Sequence, residues 1–365
     1  MIRVLHVIDS LDLGGAQTAL AGMIKYCDRA RFEPEVATMH GRGVFWEPFT
    51  ALGVPVHSLS PRKWIPLFIP RFLRLVRKRR PHIVHCHLFA ANWIAKPIAA
   101  NAGVPVRINH DQCNDQLRER HRAALAMDTV TNRLSSHICA VSSSTRDFLI
   151  RRERISPARV SLVYNGVDLS RFTPRPRARS DGKLVVLGVG RLHPQKNFTL
   201  FLDAAAILAA KNPNALFRLA GTGPEEAKLR AHAAKLGIAS RVEFLGHVSD
   251  TPALYADADV LLMTSLYEGT PLAILEAMAT RVPIVARRVD GIAEILEDGG
   301  NALLCAGADP ALFAEALEKL AVHRALRERL VAAAEEKVRA SFSALAMARH
   351  VEAIYDRCLA EVRKQ

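Results

Sequence analysis

No apolar run in the 365-residue chain reaches the roughly 18 residues that a membrane-spanning helix needs. The amino terminus, Met1 to Asp9, goes straight into a strand pattern. It lacks the apolar core and small-residue cleavage site of a signal peptide, so a cytoplasmic chain is expected. The six cysteines, Cys27, Cys86, Cys113, Cys139, Cys305 and Cys358, form no Cys-x-x-Cys pair. They read as buried free thiols in a reducing compartment. The tightest group of donors is His85-Cys86-His87. Neighbours on a strand point to opposite faces, so these three do not converge on one ion, and no metal site is expected. Gly-x-Gly-x-x-Gly is missing, which argues against a dinucleotide site. No nucleic-acid motif accompanies the basic stretches, so no nucleic-acid partner is expected. No short-period repeat is present.

Half of the residues are hydrophobic and 24% are charged, which is ordinary for a folded globular chain. The length allows two domains with cores of their own. The net charge of +14 is unevenly placed. Residues 1–181 carry 28 Lys and Arg against 14 Asp and Glu; residues 182–365 carry 22 of each. The asymmetry points to an anionic partner for the first half, with a solvated basic surface as the alternative. Apolar strand-like runs alternate with helical periodicity through both halves. This predicts an α/β chain of two doubly wound domains. Composition sets the boundaries at 1–174, a linker at 175–182, 183–341, and a final amphipathic helix at 342–365.

Two motifs in the second half carry the chemistry. Residues 260–265 read as a buried strand, and residues 267–276, YEGTPLAILE, follow it. Thr270 suits an N-cap and Pro271 the first helical position. Glu268 then lies beyond the carboxyl end of the strand and Glu276 inside the helix, at the crevice where open α/β sheets bind ligands. Ionised carboxylates are pure acceptors that pair with hydroxyls, as on a sugar or a ribose. Earlier, Arg191 and Lys196 share one loop between a strand and a helix, in GRLHPQKN. A guanidinium fork and an ammonium suit a diphosphate. In the first half, Gly14-Gly15 precedes a helix and lets backbone amides approach a phosphate. His87 and His110 fall at strand carboxyl ends, and the residues themselves leave a structural and a sugar-binding role open. Residues 64–80 set aromatics beside a run of Arg and Lys. They fit either an interfacial membrane contact or a helix packed on the sheet with its bases solvated. Residues 111–135 are rich in Arg and His, suiting an anionic acceptor or a solvated helix face. Asp257-x-Asp259 precedes an apolar strand and reads as structural.

Glu-x7-Glu in EGTPLAILEAMA, together with GRLHPQKN and the Asn165-Gly166-Val167-Asp168 segment, strongly resembles the retaining glycosyltransferases of family 4. The resemblance covers nearly the whole chain, most specifically from Gly188 to Glu276. It implies the GT-B fold: two Rossmann-like domains facing across a cleft, the carboxyl-terminal helix crossing back to the first. It further implies a nucleoside-diphosphate-sugar donor, whose sugar is held by Glu268 and whose ribose is held by Glu276. Arg191 and Lys196 would bind the diphosphate, and Gly246, His247 and Val248 the base. Gly14, Gly15, Gly269, Thr270, Pro271 and Leu272 would complete the donor site. His110 would contact donor or acceptor sugar; the resemblance does not extend to His87, which is kept as an acceptor-binding candidate with its structural reading still open. The implied catalytic set is Glu268, Arg191, Lys196 and His110, with retention of configuration and no cofactor or essential metal. The implied acceptor is a glycan or lipid-linked glycan in cell-surface polysaccharide or glycolipid assembly, and an anionic inner membrane face is a further expected partner. Two departures stand out. Gln17 replaces the Glu common after the Gly-Gly turn, and Asp290 replaces a common Gly. A nucleotide-sugar 2-epimerase of the same fold and a non-catalytic sugar-nucleotide binder remain as alternatives.

Overall fold

The computed structural model describes residues 1–60, 65–112, 121–175 and 182–364. Contacts divide the chain into two units, Met1–Gly166 with Ala344–Gln365, and Val167–Ser343.

The first unit holds a parallel sheet of β1 (Ile2–Ile8), β2 (Phe32–Thr38), β3 (Val56–Ser58), β4 (Ile83–His87), β5 (Val106–Asp111), β6 (His137–Ala140) and β7 (Val160–Leu162). Their order is β3-β2-β1-β4-β5-β6-β7. The second holds β8 (Leu184–Val189), β9 (Ala215–Ala220), β10 (Val242–Gly246), β11 (Val260–Met263), β12 (Ile284–Arg287) and β13 (Leu303–Cys305). These run in the order β10-β9-β8-β11-β12-β13. Strands such as VLLM in β11 are buried at every position, as a parallel strand covered on both faces requires. In each unit the strand order reverses beside the first strand, between β1 and β4 and between β8 and β11. A doubly wound sheet presents its ligand crevice at that reversal.

The last helix, Ala344–Val362, packs within the first unit. Met347, Val351, Ile354, Tyr355 and Cys358 recur at helical spacing. They are buried with Val4, Phe32, Ile83 and Ile108 of the sheet, the apolar stripe of an amphipathic helix. The unit boundary falls at Gly166/Val167, ahead of the linker expected at 175–182. Residues 176–181 of that stretch lie outside the described residues. Val167 donates to the Phe342 carbonyl at 2.8 Å, and Phe172 is buried against Tyr255. Packing, to which composition is blind, therefore assigns residues 167–175 to the second unit.

The basic stretch forms the helix Ile65–Arg79. Its aromatics do not face solvent: Phe68, Phe72 and Val76 are buried one turn apart, and the two phenyl rings stack at 5.2 Å. Arg79 turns back to Glu35 at 2.6 Å. Despite burial, His57 and Arg79 hold the Glu35 carboxyl below its ordinary pKa. Arg74, Arg77 and Lys78 stay exposed. Packing on the sheet wins because burying two phenyl rings outweighs any benefit of presenting them to solvent. Trp64, Arg118 and Arg120 lie outside the described residues.

Candidate active site

Because β8 and β11 are neighbours, the two motif-bearing loops emerge side by side. The β8 loop makes a short turn at Pro194–Lys196 and enters the helix Phe198–Lys211 through Asn197 at φ 49°. Three contacts clamp it to the β11 loop. Thr264 Oγ1 donates to the Lys196 or Asn197 carbonyl, at 3.1 and 3.0 Å. The Gln195 side-chain amide donates to the Tyr267 carbonyl at 3.1 Å. The Leu266 amide donates to the Gln195 carbonyl at 2.8 Å.

The clamp brings Lys196 Nζ to Glu268 Oε1 at 2.5 Å, with the side chains only 17% and 8% exposed. An ion pair this sheltered is much less screened by salt than one on the surface. Arg191, four residues after Leu187 of β8, is exposed at the start of the same loop. Gly221, at φ +138°, lies where a Cβ would meet the Gly190 carbonyl oxygen at 2.0 Å. Its amide donates to the Gly246 carbonyl at 2.7 Å. Thus the loops after β8, β9 and β10 stack backbone on backbone. Gly246 itself sits at φ +62°, His247 is exposed and Val248 half-buried. Arg171, which sequence reasoning missed, donates to the Ser249 carbonyl at 3.1 Å and fixes the next residues of this loop.

The β11 loop enters the helix Leu272–Ala279 with Pro271 as N-cap and no side-chain cap bond. The expected Thr270 cap is corrected. Pro271 is extended, at φ −71° and ψ 116°, so the helix starts one residue later and Thr270 is buried before it. Gly269 is buried too. Gly291, not Asp290, packs against this loop: a Cβ there would meet the Gly269 carbonyl oxygen at 1.6 Å. Asp290 is exposed.

Glu276 is 8% exposed. The Tyr255 hydroxyl donates to its Oε2 at 2.8 Å. Burial pushes the Glu276 carboxyl up to about 7, against the pull of the Tyr255 hydrogen bond and the Arg171 charge. A carboxyl so shifted is a common mark of a functional position. Tyr255 was legible only as part of the Asp257-x-Asp259 segment. Those aspartates do act structurally. Asp257 pairs with Arg218, and Asp259 accepts the Val185 amide at 2.8 Å.

In the first unit, Gly14 caps the helix Gly15–Lys25. Gln17 folds back on it, with Oε1 at 2.4 Å from where a Gly14 Cβ would lie and Nε2 donating to the Ser10 carbonyl at 3.0 Å. His87 and His110 differ from expectation. They are 1% and 0% exposed, not open to a crevice. Strand alternation turns them toward the face covered by the helix Ala344–Val362, beside His6 and His85. His6 pairs in register with His85, and His87 with His110. The ring centroids of His85 and His87 are 4.3 Å apart, and those of His85 and His110 are 5.4 Å apart and nearly parallel. Burial pulls the His6 pKa down to about 3, with help from His110, and that of His110 to about 4. His85 and His87 are lowered by burial and by the neighbouring imidazoles. Cys27, Cys86, Cys139, Cys305 and Cys358 are free thiols, all but Cys27 buried.

Two Rossmann-like α/β units of this strand order, with the last helix packed in the first, define the GT-B class of fold. Anabaena Alr3699/HepE, solved in complex with UDP-glucose, superposes with a TM-score of 0.87 at 21% identity, covering 98% of this chain and 100% of that one. Residues 170–337 match the family described as glycosyl transferases group 1, and residues 13–171 match Glycosyltransferase Family 4. The D-inositol 3-phosphate glycosyltransferase of Frankia alni is 30% identical over 335 residues, 83% of this chain and 82% of that protein. The Escherichia coli UDP-Gal:alpha-D-GlcNAc-diphosphoundecaprenol alpha-1,3-galactosyltransferase is 27% identical over 235 residues, 60% of each chain. The chain belongs to the group 1 glycosyltransferases, with a family 4 amino-terminal half, and is a glycosyl-transferring enzyme. No described helix is long and apolar enough to cross a membrane.

Proposed function

We propose that the chain is a retaining, metal-independent transferase. It would move a sugar from a nucleoside-diphosphate sugar to a hydroxyl of a lipid-linked or membrane-proximal glycan. The observation that carries this reading is the sheltered Lys196–Glu268 pair, held where the two motif loops meet beside the β8–β11 reversal. Lys196 has three N–H donors, so it can keep Glu268 and still donate to a phosphate oxygen. Arg191 supplies a second cation on the same loop. As the bond from C1 to the diphosphate oxygen breaks, negative charge grows on the diphosphate, and these cations stabilise it. The acceptor oxygen bonds to C1 on the same face, and its proton passes to the departing phosphate oxygen. No separate base and no metal are needed.

Glu268 orients the donor sugar, Glu276 takes the ribose hydroxyls, and the loop at Gly246, His247 and Val248 meets the base. Gly269, Thr270, Pro271 and Leu272 shape the wall between the two carboxylates. His87 and His110 make no direct sugar contact in this reading, because both are buried. The donor assignment draws on the Anabaena protein, solved with UDP-glucose. The acceptor assignment draws on the E. coli relative, named for a diphosphoundecaprenol acceptor. With Phe68 and Phe72 buried, attachment to an anionic inner membrane face would rest on Arg74, Arg77 and Lys78. It would be electrostatic and weakened by salt.

A thermal-shift panel of nucleoside diphosphates and their sugars tests the proposal. One nucleotide series should raise the melting temperature in wild type and raise it less in Glu276→Gln, since only a ligand of the native state stabilises it. NMR of the product should show the anomeric configuration of the donor kept, with turnover unaffected by chelator. A chain that no member of the panel shifts overturns the reading.

A further inference from the structure

The reaction proposed above uses none of the four buried histidines of the first unit, and their arrangement is costly to leave idle. His85 and His87 lie two apart on β4, so they share one face. His6 on β1 and His110 on β5 extend the row on either side, and Cys139 on β6 follows His110. The ligand atoms of His6, His85 and His87 all lie within 4.8 Å of one another, as do those of His85, His110 and Cys139. Several ring nitrogens have no hydrogen-bond partner: His85 Nε2, His87 Nδ1, and both nitrogens of His110. A buried polar atom left without a partner costs about 1–3 kcal/mol.

Other contacts orient the rings. His85 Nδ1 meets the Tyr355 hydroxyl at 2.5 Å, which leaves its Nε2 aimed elsewhere. His6 Nδ1 and His87 Nε2 stand 3.1 Å apart. The Tyr355 contact is of the kind that ordinarily holds a ligating histidine, a second group on the far nitrogen, whereas the His6–His87 contact lies between two of the imidazoles themselves.

We propose that His6, His85 and His87 form a binding site for one divalent transition ion of the zinc class. Imidazole nitrogens present lone pairs, and His85 Nε2 and His87 Nδ1 have no hydrogen-bond partner to occupy them. An all-nitrogen set suits a borderline cation such as Zn²⁺, Co²⁺ or Ni²⁺ rather than Mg²⁺ or Ca²⁺. His85 belongs to both triads and has one nitrogen to give, so the cluster takes one ion at a time. The ion sits under the helix Ala344–Val362 and ties β1 to β4, with Tyr355 bridging to the helix. Its role is to fasten that helix to the sheet, separate from the donor residues, which all belong to the second unit apart from the Gly14-Gly15 turn.

The test uses the full chain, free of any purification tag and stripped with chelator. It is titrated with Co²⁺, both as the native protein and during refolding. One Co²⁺ per chain is expected, with the intense visible bands of low-coordinate nitrogen ligation, displaced by Zn²⁺ and accompanied by a higher melting temperature. His6→Gln and His85→Gln should each abolish binding, while His121→Gln, at an exposed position, should not. Should the buried variants fold poorly, X-ray absorption of the Zn²⁺-loaded wild type decides, because three imidazole nitrogens give a recognisable first shell. Absence of stoichiometric binding to wild type, retention of binding in folded His6→Gln, or an oxygen-dominated shell would each overturn the site. None of these readouts depends on glycosyl transfer, so failure here leaves the proposed reaction standing.

Discussion

The two units solve the same folding problem and place their polar chemistry in opposite ways. In the first unit the ionisable cluster lies within the strands themselves. His6, His85, His87 and His110 are covered by a helix and kept neutral. In the second, it lies in loops just beyond the strand ends. Lys196 and Glu268 form a sheltered ion pair, and Glu276 lies deeper with its carboxyl raised to about 7. Strand interiors without a charged partner favour the neutral form because burial penalises the charged one; Glu35, also on a strand, stays charged through Arg79 and His57. Loop positions at a sheet's carboxyl edge allow charge because partners and water remain within reach. The first arrangement suits holding something permanently; the second suits a substrate that comes and goes.

The largest effect separating the units should come from acid. Each cluster imidazole has a folded-state pKa below its ordinary 6.5. Its stabilising contribution is complete above pH 6.5 and is lost as pH falls toward the folded value. The loss reaches about 1.4 kcal/mol per pH unit for each imidazole. Urea unfolding of chelator-treated protein, followed through Tyr355 burial in the first unit, should therefore weaken steeply between pH 6.5 and 4. A flat profile would remove the contrast between the units.

Next is Lys196→Ala. Losing one donor to a developing charge costs roughly 10²- to 10³-fold in turnover. Steady-state kinetics should show that loss mainly in kcat. A change confined to KM would place Lys196 in ground-state binding only.

The smallest effect is Glu276→Gln, and it runs in two directions. The folded pKa of Glu276 is raised, so its penalty is absent below the unfolded value of 4.5 and grows as pH rises through about 7. Gln can still accept from Tyr255. At pH 8 the variant should therefore be more stable than wild type, by at most about 3 kcal/mol. It should bind nucleoside diphosphate about 10-fold more weakly, having lost a charged acceptor. At pH 5 the stability gain should nearly vanish. Calorimetry at the two pH values measures both, and equal stability at pH 8 would mean that the carboxyl carries no strain.

Much of the second unit was legible along the chain. Alternating strands and helices, the loop from Arg191 to Asn197 and the spacing of Glu268 and Glu276 are local patterns. Local patterns report local structure. The start of the helix at Leu272 was misplaced because an extended Pro271 depends on how the loop packs against Gly291. Arg171 and Tyr255 were missed because their partners, Ser249 and Glu276, are distant in sequence. The burial of His87 and His110 beside His6 and His85 was missed for the same reason. Alternation excluded a metal at His85-Cys86-His87, and Cys86 does turn away. But the third imidazole, His6, comes from another strand, and no spacing rule links residue 6 to residue 85.

By itself, the sequence determined the class of fold and the two-unit plan, and it located the loops that carry Lys196, Glu268 and Glu276. Hydrophobic periodicity and loop chemistry act over a few residues, so they can be read without a partner. Only the tertiary structure decided which groups meet. Pairing Lys196 with Glu268, burying Glu276 on Tyr255 and gathering four imidazoles under the last helix all depend on strand order and register. Those are set by the collective packing of the sheet rather than by any one segment.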